Sequence, residues 1–357
     1  MVSSLGVGGA ERSSAILSKM LVDSGYDVTI ISILNDIVYD YKGELVNLEL
    51  LTSTYKGLYK RWRKFIISRN ILSNNKFDYV IDTASRPGWF KQWFINTFVY
   101  QKTSTVFVVH SYNLDSYFPN HTILGKYLYQ NSHELVGVSK DSVTHFKEKY
   151  GLQKGRCIYN AFDEAHWDML SKVKIDISEE PFILSYGRIF DEIKNYSFLI
   201  KTYSQSQLPK RGIKLFIIGD GPDKIKIQNL VQFYGIQEYV IFKEFLENPF
   251  PYIKQALFTT LTSNYEGFPM VLLESLAIGT PVVSVDCKSG PSEVIVTGKN
   301  GILVPFKDEQ AYTEALNKMI EDQDFHKRCK EGTIISVSKF KIENIIPQWQ
   351  AILPRKR

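Results

Sequence analysis

The chain has 357 residues, 44% of them apolar, which is enough for two domains that each bury a core of their own and excludes a single small module. The three cysteines are far apart, with no Cys-x-x-Cys pair and no His beside them, so we expect a reducing compartment and no structural zinc. The formal net charge of +5 arises from residues 1–160, with 19 Lys+Arg against 13 Asp+Glu, but the pI of about 8.8 and the lack of a binding motif argue against a nucleic-acid partner.

No apolar run approaches the roughly 20 residues that a membrane-spanning helix needs. The first ten residues are small and polar and contain no apolar stretch of the kind found in signal peptides. We therefore expect a cytoplasmic protein, with a peripheral position on the inner face of the plasma membrane as an extension of that expectation.

The glycine-rich segment Gly6-Val7-Gly8-Gly9 comes almost at once, and only Met1 to Leu5 remain for the strand that a Rossmann unit places before such a loop. We expect that the chain begins inside the natural protein and that the first strand is cut short. Gly8 and Gly9 open a predicted helix whose free N–H groups would suit an anionic ligand, the alternative being a plain helix-start turn. A dinucleotide fingerprint fails here, because Glu11 stands where the third glycine is needed.

Short apolar runs then alternate with amphipathic stretches through the first half. The predicted strands are 27–34, 78–82, 104–110, 134–138 and 156–159, and the predicted helices are 58–74, 87–98, 122–131 and 139–149. His110 ends a strand, at the edge where doubly wound sheets bind ligands. A ligand contact or a buried, hydrogen-bonded strand-end histidine are both consistent with that position.

Residues 56–69 form a basic stretch with aromatic and aliphatic residues interleaved. Basic helices with Trp and Phe commonly lie in the interface of an anionic membrane. An ordinary helix that packs Leu58, Trp62, Phe65 and Ile66 on the core is the alternative, and both can hold at once.

The second half repeats the alternation, after a polar segment at 161–180 that we interpret as a linker. The predicted strands are 181–186, 214–218, 239–242, 256–261, 280–285 and 302–304. Continuous apolar strands separated by helices indicate parallel sheets covered on both faces. The fold class is therefore α/β, with two Rossmann-like doubly wound domains.

The segment from Ser263 to Val283 indicates a strand, a loop, a helix that begins near Pro269, and a turn bounded by Gly279. A helix that begins at the carboxyl edge of a parallel sheet offers free N–H groups to a diphosphate. Glu266 and Glu274, eight positions apart, could then accept hydrogen bonds from sugar hydroxyls and from a ribose diol. The alternative makes Glu266 a helix-dipole partner and Glu274 a solvated helix residue.

Arg188 and Lys194 follow the predicted strand 181–186 and are spaced to converge on one anion. Fixed cations stabilise negative charge that develops on a leaving diphosphate, and so could replace a metal ion. The alternative is a pair of solvated surface cations. Asp322-Gln323-Asp324 has the D-x-D pattern of some metal sites, but it falls between two late predicted helices, so we interpret it as a helix boundary.

Several motifs together resemble the family 4 retaining glycosyltransferases, which have the GT-B fold. Similar segments are Glu266–Glu274 (the E-x7-E element), 186–189 with Lys194-Asn195, 217–222, 290–293 with 300–304, 8–12 and 158–163. The resemblance is dense over 181–305 and thin over 35–100. It implies two domains facing across a cleft: 1–162 for the acceptor, 163–340 for the donor, and 341–357 as a helix that crosses back.

The resemblance also implies site roles. Catalytic roles fall to His110, Arg188, Lys194 and Glu266, and donor binding to Gly8, Gly9, Gly187, Gly219, Gly221, Gly267, Phe268, Pro269, Met270, Val271 and Glu274. It implies metal-independent transfer of a hexose or N-acetylhexosamine from a nucleotide diphosphate sugar, most simply a UDP sugar, without any cofactor. The acceptor would be a saccharide or lipid-linked saccharide in bacterial surface-polysaccharide synthesis, and a front-face substitution would retain the anomeric configuration.

Two other functions stay open at this point. A catalytically inactive carbohydrate- or nucleotide-binding relative would share the fold, although the presence of Arg188, Lys194, Glu266 and Glu274 together speaks against it. An NAD(P)-linked oxidoreductase would share the alternation of strands and helices but needs a complete glycine fingerprint.

Overall fold

A computed structural model describes residues 1–86, 88–101, 103–175 and 180–355. The chain divides into two compact units. Unit 1 comprises Met1–Ala161 with Ile342–Arg357, and unit 2 comprises Phe162–Lys341. No helix within the described ranges has the length and hydrophobicity needed to cross a bilayer.

Unit 1 alternates strands and helices in the order that the apolar runs predict. Its strands are β1 (Thr29–Ser32), β2 (Glu44–Asn47), β3 (Tyr79–Asp82), β4 (Ser104–Val109), β5 (Glu134–Gly137) and β6 (Arg156–Cys157). Its helices are α1 (Gly9–Asp23), α2 (Leu48–Leu51), α3 (Gly57–Asn74), α4 (Trp89–Ile95), α5 (Thr122–Tyr129) and α6 (Lys140–Tyr150), with a π-helical turn at Asn96–Tyr100 and a 3₁₀ turn at Leu114–Ser116.

The strands of unit 1 pair in parallel, β1 with β2 and β3-β4-β5-β6 in that order. Residues 1–5 lie between the two groups: Val2 bridges to Ser32 on the β1 side, and the Thr83 amide donates to the Met1 carbonyl at 3.0 Å on the β3 side. This stretch makes isolated bridges rather than a full strand. The segment Gly6–Gly9 therefore starts from the middle of the unit, at the ends of neighbouring strands.

Unit 2 has strands β7 (Phe182–Tyr186), β8 (Lys214–Ile218), β9 (Val240–Lys243), β10 (Thr259–Leu261), β11 (Val282–Val285) and β12 (Gly301–Val304). Its helices are α7 (Glu164–Ser171), α8 (Asp191–Lys194), α9 (Tyr196–Gln205), α10 (Lys224–Phe233), α11 (Phe250–Gln255), α12 (Met270–Ala277), α13 (Pro291–Val294), α14 (Glu309–Glu321) and α15 (Gln323–Ser336), with 3₁₀ turns at Pro209–Arg211 and Ser338–Phe340. The chain then returns to unit 1 in α16 (Ile342–Ile352).

The sheet of unit 2 is parallel, with the strand order β12-β11-β10-β7-β8-β9. The chain fills one side of β7 with β8 and β9, and then crosses over to place β10 on the other side. The order therefore reverses between β7 and β10. The crevice at the carboxyl ends of two such strands is where doubly wound sheets bind ligands.

The prediction of a linker over 161–180 is wrong for 164–171, which form α7. The Asp163 side chain caps this helix by accepting the His166 amide at 3.0 Å. Trp167 is buried and stacks on Phe162 and Phe250. The segment is polar by composition, and one buried tryptophan is enough to anchor it. Residues 176–179 of the expected linker lie outside the described residues.

Candidate functional site

The loops that follow β7 and β10 bind each other tightly at the reversal point of unit 2. The Asn264 amide donates to the Ile193 carbonyl at 2.7 Å, and its side-chain nitrogen donates to the Glu192 carbonyl at 2.8 Å. The Thr262 hydroxyl donates to the Lys194 carbonyl at 3.0 Å. These bonds hold α8 against the β10 loop, so the side chains of the two loops share one small region.

Lys194 and Glu266 form an ion pair in that region. The ammonium lies 2.7 Å from Glu266 Oε1, and the Ser263 hydroxyl donates to the same oxygen at 2.6 Å. Both side chains are mostly buried. An ammonium has three N–H donors, so this pair uses one of them and two can reach a further anion. The structure thus brings together two residues that the sequence predicted separately, and it adds Ser263, for which the sequence gave no signal.

Arg188 differs from Lys194 in its surroundings. Its side chain is exposed, and within the described part of unit 2 no ion pair or side-chain hydrogen bond is recorded for it. Arg188 follows β7 by two residues, at the same edge of the sheet as Lys194. Its guanidinium is therefore accessible to an anion from solution.

Glu274 is a buried residue of α12, with 3% of its surface exposed. The Tyr186 hydroxyl lies 2.9 Å from Glu274 Oε2 and 2.9 Å from the Val271 carbonyl oxygen. The interpretation of Glu274 as a solvated helix residue is therefore wrong. The sequence gave Tyr186 no role, although its place at the end of β7, next to Gly187, was a usable signal.

The start of α12 lies one residue later than we predicted. Pro269 is the N-cap, with extended backbone (φ −72°, ψ 99°), and Met270 is the first helical residue. The Pro269 side chain makes no capping hydrogen bond. Phe268 and Met270 are buried, and Phe268 packs edge-on against Phe340. Any contact of Phe268 or Met270 with a donor would therefore use the backbone; the roles predicted for Gly267, Pro269 and Val271 stay predictions.

At two of the predicted donor-binding glycines, close packing leaves no space for a side chain. A Cβ on Gly219 would lie 2.0 Å from the Gly187 carbonyl oxygen, and one on Gly221 would lie 2.2 Å from the Ile189 carbonyl oxygen. The Ile189 amide donates to the Asp220 carbonyl at 2.8 Å, so the loops that follow β7 and β8 are in direct backbone contact. Gly187 is different, because its φ of +136° favours glycine while a Cβ would meet nothing within 4 Å. Donor contact by these three residues stays a prediction.

In unit 1, His110 follows β4 directly, as the sequence predicts. Its ring nitrogens are buried and have no hydrogen-bond partner in the described structure, so the interpretation as a buried histidine with satisfied hydrogen bonds is wrong. Burial, and then the nearby Arg86 cation, lower the pKa of His110 to about 3. The imidazole is therefore neutral across the physiological range, and it can accept or donate a hydrogen bond with a ligand.

Arg86 is a residue of this region that the sequence gave no reason to select. It is buried, and its guanidinium donates to the carbonyls of Asp82, Ala84 and Val108 at 2.9–3.1 Å. These bonds tie the ends of β3 and β4 together, which fixes the backbone just before His110.

The helix that begins at Gly9 also starts in this region. Gly8 is its N-cap and, as a glycine, has no side chain to cap it. The Ser14 hydroxyl donates to Thr83 Oγ1 at 2.9 Å, and Ser14, Thr83 and His110 line one small cavity. The first turns of α1 and His110 are thus neighbours, while donor contact by Gly8 and Gly9 stays a prediction.

The interpretation of the D-x-D motif as a helix boundary is confirmed. Asp322 directly follows α14 and caps α15, where its carboxylate accepts the Phe325 amide at 2.9 Å.

Comparison with known proteins gives two family matches. The family described as "Glycosyltransferase Family 4" matches residues 7–166, and the one described as "Glycosyl transferases group 1" matches residues 170–334. A Campylobacter jejuni relative, N-acetylgalactosamine-N,N'-diacetylbacillosaminyl-diphospho-undecaprenol 4-alpha-N-acetylgalactosaminyltransferase, is 28% identical over 92% of this chain and 91% of its own. The amylovoran biosynthesis glycosyltransferase AmsD of Erwinia amylovora is 22% identical over 97% and 96%.

Solved structures agree on the fold. A sucrose-phosphate synthase from Thermosynechococcus elongatus matches with a TM-score of 0.76 at 18% identity, over 99% of this chain and 94% of its own. Anabaena HepE in complex with UDP-glucose matches with a TM-score of 0.74 at 18% identity, over 97% and 96%. The predicted GT-B fold, built from two α/β units with parallel sheets, is confirmed.

Proposed function

The chain belongs to the group 1 and family 4 glycosyltransferases, and we propose that it transfers a hexose or N-acetylhexosamine from a UDP sugar to a saccharide or lipid-linked saccharide acceptor, with retention of configuration. The product would belong to a bacterial surface polysaccharide: capsule, exopolysaccharide, O-antigen or lipopolysaccharide. Relatives named for undecaprenol-linked and amylovoran glycosyl transfer support this assignment. A similar fold solved with UDP-glucose supports the choice of UDP.

The chemistry rests on cations beside the reversal point of the unit 2 sheet. When the sugar leaves its nucleotide, negative charge grows on the diphosphate. Arg188 is exposed and accessible, and Lys194 keeps two N–H donors beyond its bond to Glu266. Both can donate to the departing phosphate oxygens, so stabilisation increases as the bond breaks. Because these cations carry the role, we propose that no divalent ion is required.

The remaining side chains position the donor. Glu274 would accept hydrogen bonds from the ribose diol, and the Tyr186 hydroxyl would fix its carboxylate. Glu266 would accept from a sugar hydroxyl while Lys194 and Ser263 hold its other contacts. In unit 1, neutral His110 would bond a hydroxyl of the transferred sugar. For retention we propose front-face substitution, with the leaving phosphate taking the acceptor proton.

The observation that carries the proposal is the clustering of Arg188, Lys194, Glu266 and Glu274 at the loops and helix that follow β7 and β10. The test is a screen of UDP-glucose, UDP-galactose and their N-acetylated forms for release of UDP, with and without a lipid-linked saccharide acceptor. We expect one donor to be turned over, and NMR of the product to show an α-configured sugar from an α-configured donor.

Two outcomes would contradict parts of this proposal. A product of inverted configuration would contradict retention. UDP binding without turnover of any nucleotide sugar would favour the inactive relative.

An acceptor that is lipid-linked also places the enzyme at an anionic membrane, for which residues 56–69 are the predicted contact.

A further inference from the structure

A continuous chain of aromatic rings runs across two helices of unit 1. Trp62 stacks on Phe65 of the same helix, and Phe65 contacts Phe94 of α4 at 4.5 Å between ring centroids. The chain continues with ring contacts Phe94–Phe98, Phe98–Trp93, Trp93–Phe90 and Phe90–Trp89. We call the surface formed by α3, α4 and the turn Asn96–Tyr100 the aromatic surface. The rings show that its parts are contiguous.

The ends of this chain of rings are open to solvent. Trp62 at one end is 50% exposed, and Phe90 and Trp89 at the other end are 61% and 45% exposed. Leu58, one turn before Trp62, is 80% exposed. Phe65, in contrast, packs against the core of unit 1. Each interpretation of 56–69 therefore holds for different residues: Phe65 packs on the core, while Leu58 and half of the Trp62 surface face solvent. An exposed aromatic and aliphatic patch of this kind marks an interaction site.

The segments that form the aromatic surface contain basic but no acidic residues. The sequence has no Asp or Glu between Glu49 and Asp78, and none between Asp82 and Asp115. Glu49 lies on the preceding helix, where it pairs with Lys60 and Lys64. Lys56, Arg61 and Lys91 are exposed and lie within two residues of Leu58, Trp62 or Phe90 in the chain, and Arg69 is exposed further along α3. Exposed tryptophan and phenylalanine flanked by exposed cations are typical of surfaces that enter an anionic lipid interface.

We infer that the aromatic surface docks on an anionic bilayer, with Trp62 and Phe90 entering the headgroup region and Lys56, Arg61 and Lys91 pairing with lipid phosphates. The partner is a membrane rather than a second protein, because the exposed cations of the aromatic surface have no acidic residue on their own segments, 50–77 and 83–114, to balance them. The inference rests on the proposed function in one respect: docking on the membrane would bring the enzyme to a lipid-linked acceptor.

The test is co-sedimentation with vesicles of phosphatidylcholine and phosphatidylglycerol at 7:3, and with pure phosphatidylcholine. One variant combines K56S, R61S and K91S. We expect about a 100-fold lower partition coefficient on anionic vesicles, since each cation near such a surface contributes a factor of about five. A second variant combines W62S and F90S. We expect its partition coefficient on anionic vesicles to be at least about 10-fold lower even at low salt, because the two rings no longer bury aromatic area in the lipid. Lys60 and Lys64 are left intact because they anchor Glu49.

Matched controls come from unit 2, which offers the exposed residues Phe233, Lys307, Lys327 and Lys330. F233S and the triple variant K307S/K327S/K330S should bind vesicles like the wild type. Wild-type partition on anionic vesicles that survives both aromatic-surface substitutions would overturn the inference. Loss of self-association in the W62S/F90S variant, with vesicle binding unchanged, would assign the surface to a second copy of the chain instead.

UDP release without lipid separates this inference from the proposed function. Normal release in both variants, with lost vesicle binding, is the expected result. Vesicle binding that fails in the wild type while UDP release persists overturns the membrane surface alone. Vesicle binding without turnover of any nucleotide sugar contradicts the proposed function and leaves the membrane surface supported.

Discussion

The ligand-binding edges of the two units hold their polar side chains in different ways. In unit 2, Lys194, Glu266 and Glu274 are hydrogen-bonded to residues of neighbouring loops or of β7 before any ligand arrives. In unit 1, His110 has buried ring nitrogens with no partner, beside the backbone that Arg86 holds fixed. Only the first arrangement has its hydrogen bonds already made.

The difference bears on how each edge meets a ligand. A carboxylate that is already oriented costs little further ordering when a sugar nucleotide binds. Buried imidazole nitrogens without hydrogen bonds destabilise the ligand-free protein. A ligand that supplies a hydrogen bond removes that destabilisation. Ligand binding at unit 2 should therefore depend on charged side chains that are already oriented. Ligand binding at unit 1 should depend on the one hydrogen bond that a ligand makes to His110.

The largest expected effect comes from removing the cations of unit 2. R188A and K194A should each lower turnover by ~100- to 1000-fold, because each removes a donor to the leaving phosphate. The measurement is UDP release under donor saturation, with thermal melting to check the fold. R211A, which removes an exposed arginine paired with Glu321, is the control and should keep full activity. Near-normal turnover in either site variant would remove that residue from the mechanism.

The next effect tests the unpartnered histidine. H110A should lower turnover by ~10-fold, the scale of one hydrogen bond, rather than by the larger factors of a proton-transfer residue. Because burial and Arg86 lower the pKa of His110 to about 3, its charge should not change between pH 5 and 8. The pH profile of kcat should therefore show no limb near 6.5 that H110A removes. Such a limb would contradict the neutral imidazole.

The same shift affects stability. The unfolded histidine takes up a proton as pH falls below about 6.5, whereas the folded one does not until about 3. The stability contributed by neutral His110 is thus complete above pH 6.5 and is lost as pH falls through that window. H110N should lose less stability than the wild type between pH 7 and 5, measured by urea unfolding of each variant at both values. Equal losses would place the histidine in a solvated environment.

A smaller effect tests the orientation of Glu274. Y186F removes the hydroxyl that lies 2.9 Å from the carboxylate, and should raise the KM for the donor by ~5-fold with little change in kcat. The initial-rate dependence on donor concentration gives both constants. An unchanged KM would show that the helix alone orients Glu274.

The smallest expected effect is none at all. Excess EDTA should leave UDP release unchanged, because Arg188 and Lys194 are proposed to stabilise the diphosphate without a divalent ion. Loss of activity that Mn²⁺ or Mg²⁺ restores would contradict that proposal.

Much of this architecture could be predicted from the sequence because buried parallel strands are short continuous apolar runs. β8 was predicted to the residue, and β3, β4 and β5 to within one at each end. The omissions have a common cause. β2 (Glu44–Asn47) and α2 are four residues each, so periodicity has too few positions to show. α7 depends on one buried tryptophan rather than on a pattern.

The candidate site followed a similar division. Motif spacing located Arg188, Lys194, Glu266 and Glu274, because loops after parallel strands converge on one edge. The bonds among them could not be predicted: Ser263 and Tyr186 contribute single hydroxyls, and the orientation of a hydroxyl depends on packing. Gly219 and Gly221 show a different limit of sequence analysis. Their motif predicts contact with a ligand, but close backbone packing alone is enough to require glycine at both positions.

The distribution of tryptophan gives the molecule an optical signal of its own. Of the five tryptophans in the sequence, Trp62, Trp89 and Trp93 lie on the aromatic surface, while Trp167 and Trp349 are buried in the interior. The emission spectrum should therefore contain a red-shifted, acrylamide-quenched component from Trp62 and Trp89 and a blue, protected component from the two interior indoles. Contact with lipid would shift only the first component, so no label is needed to follow it.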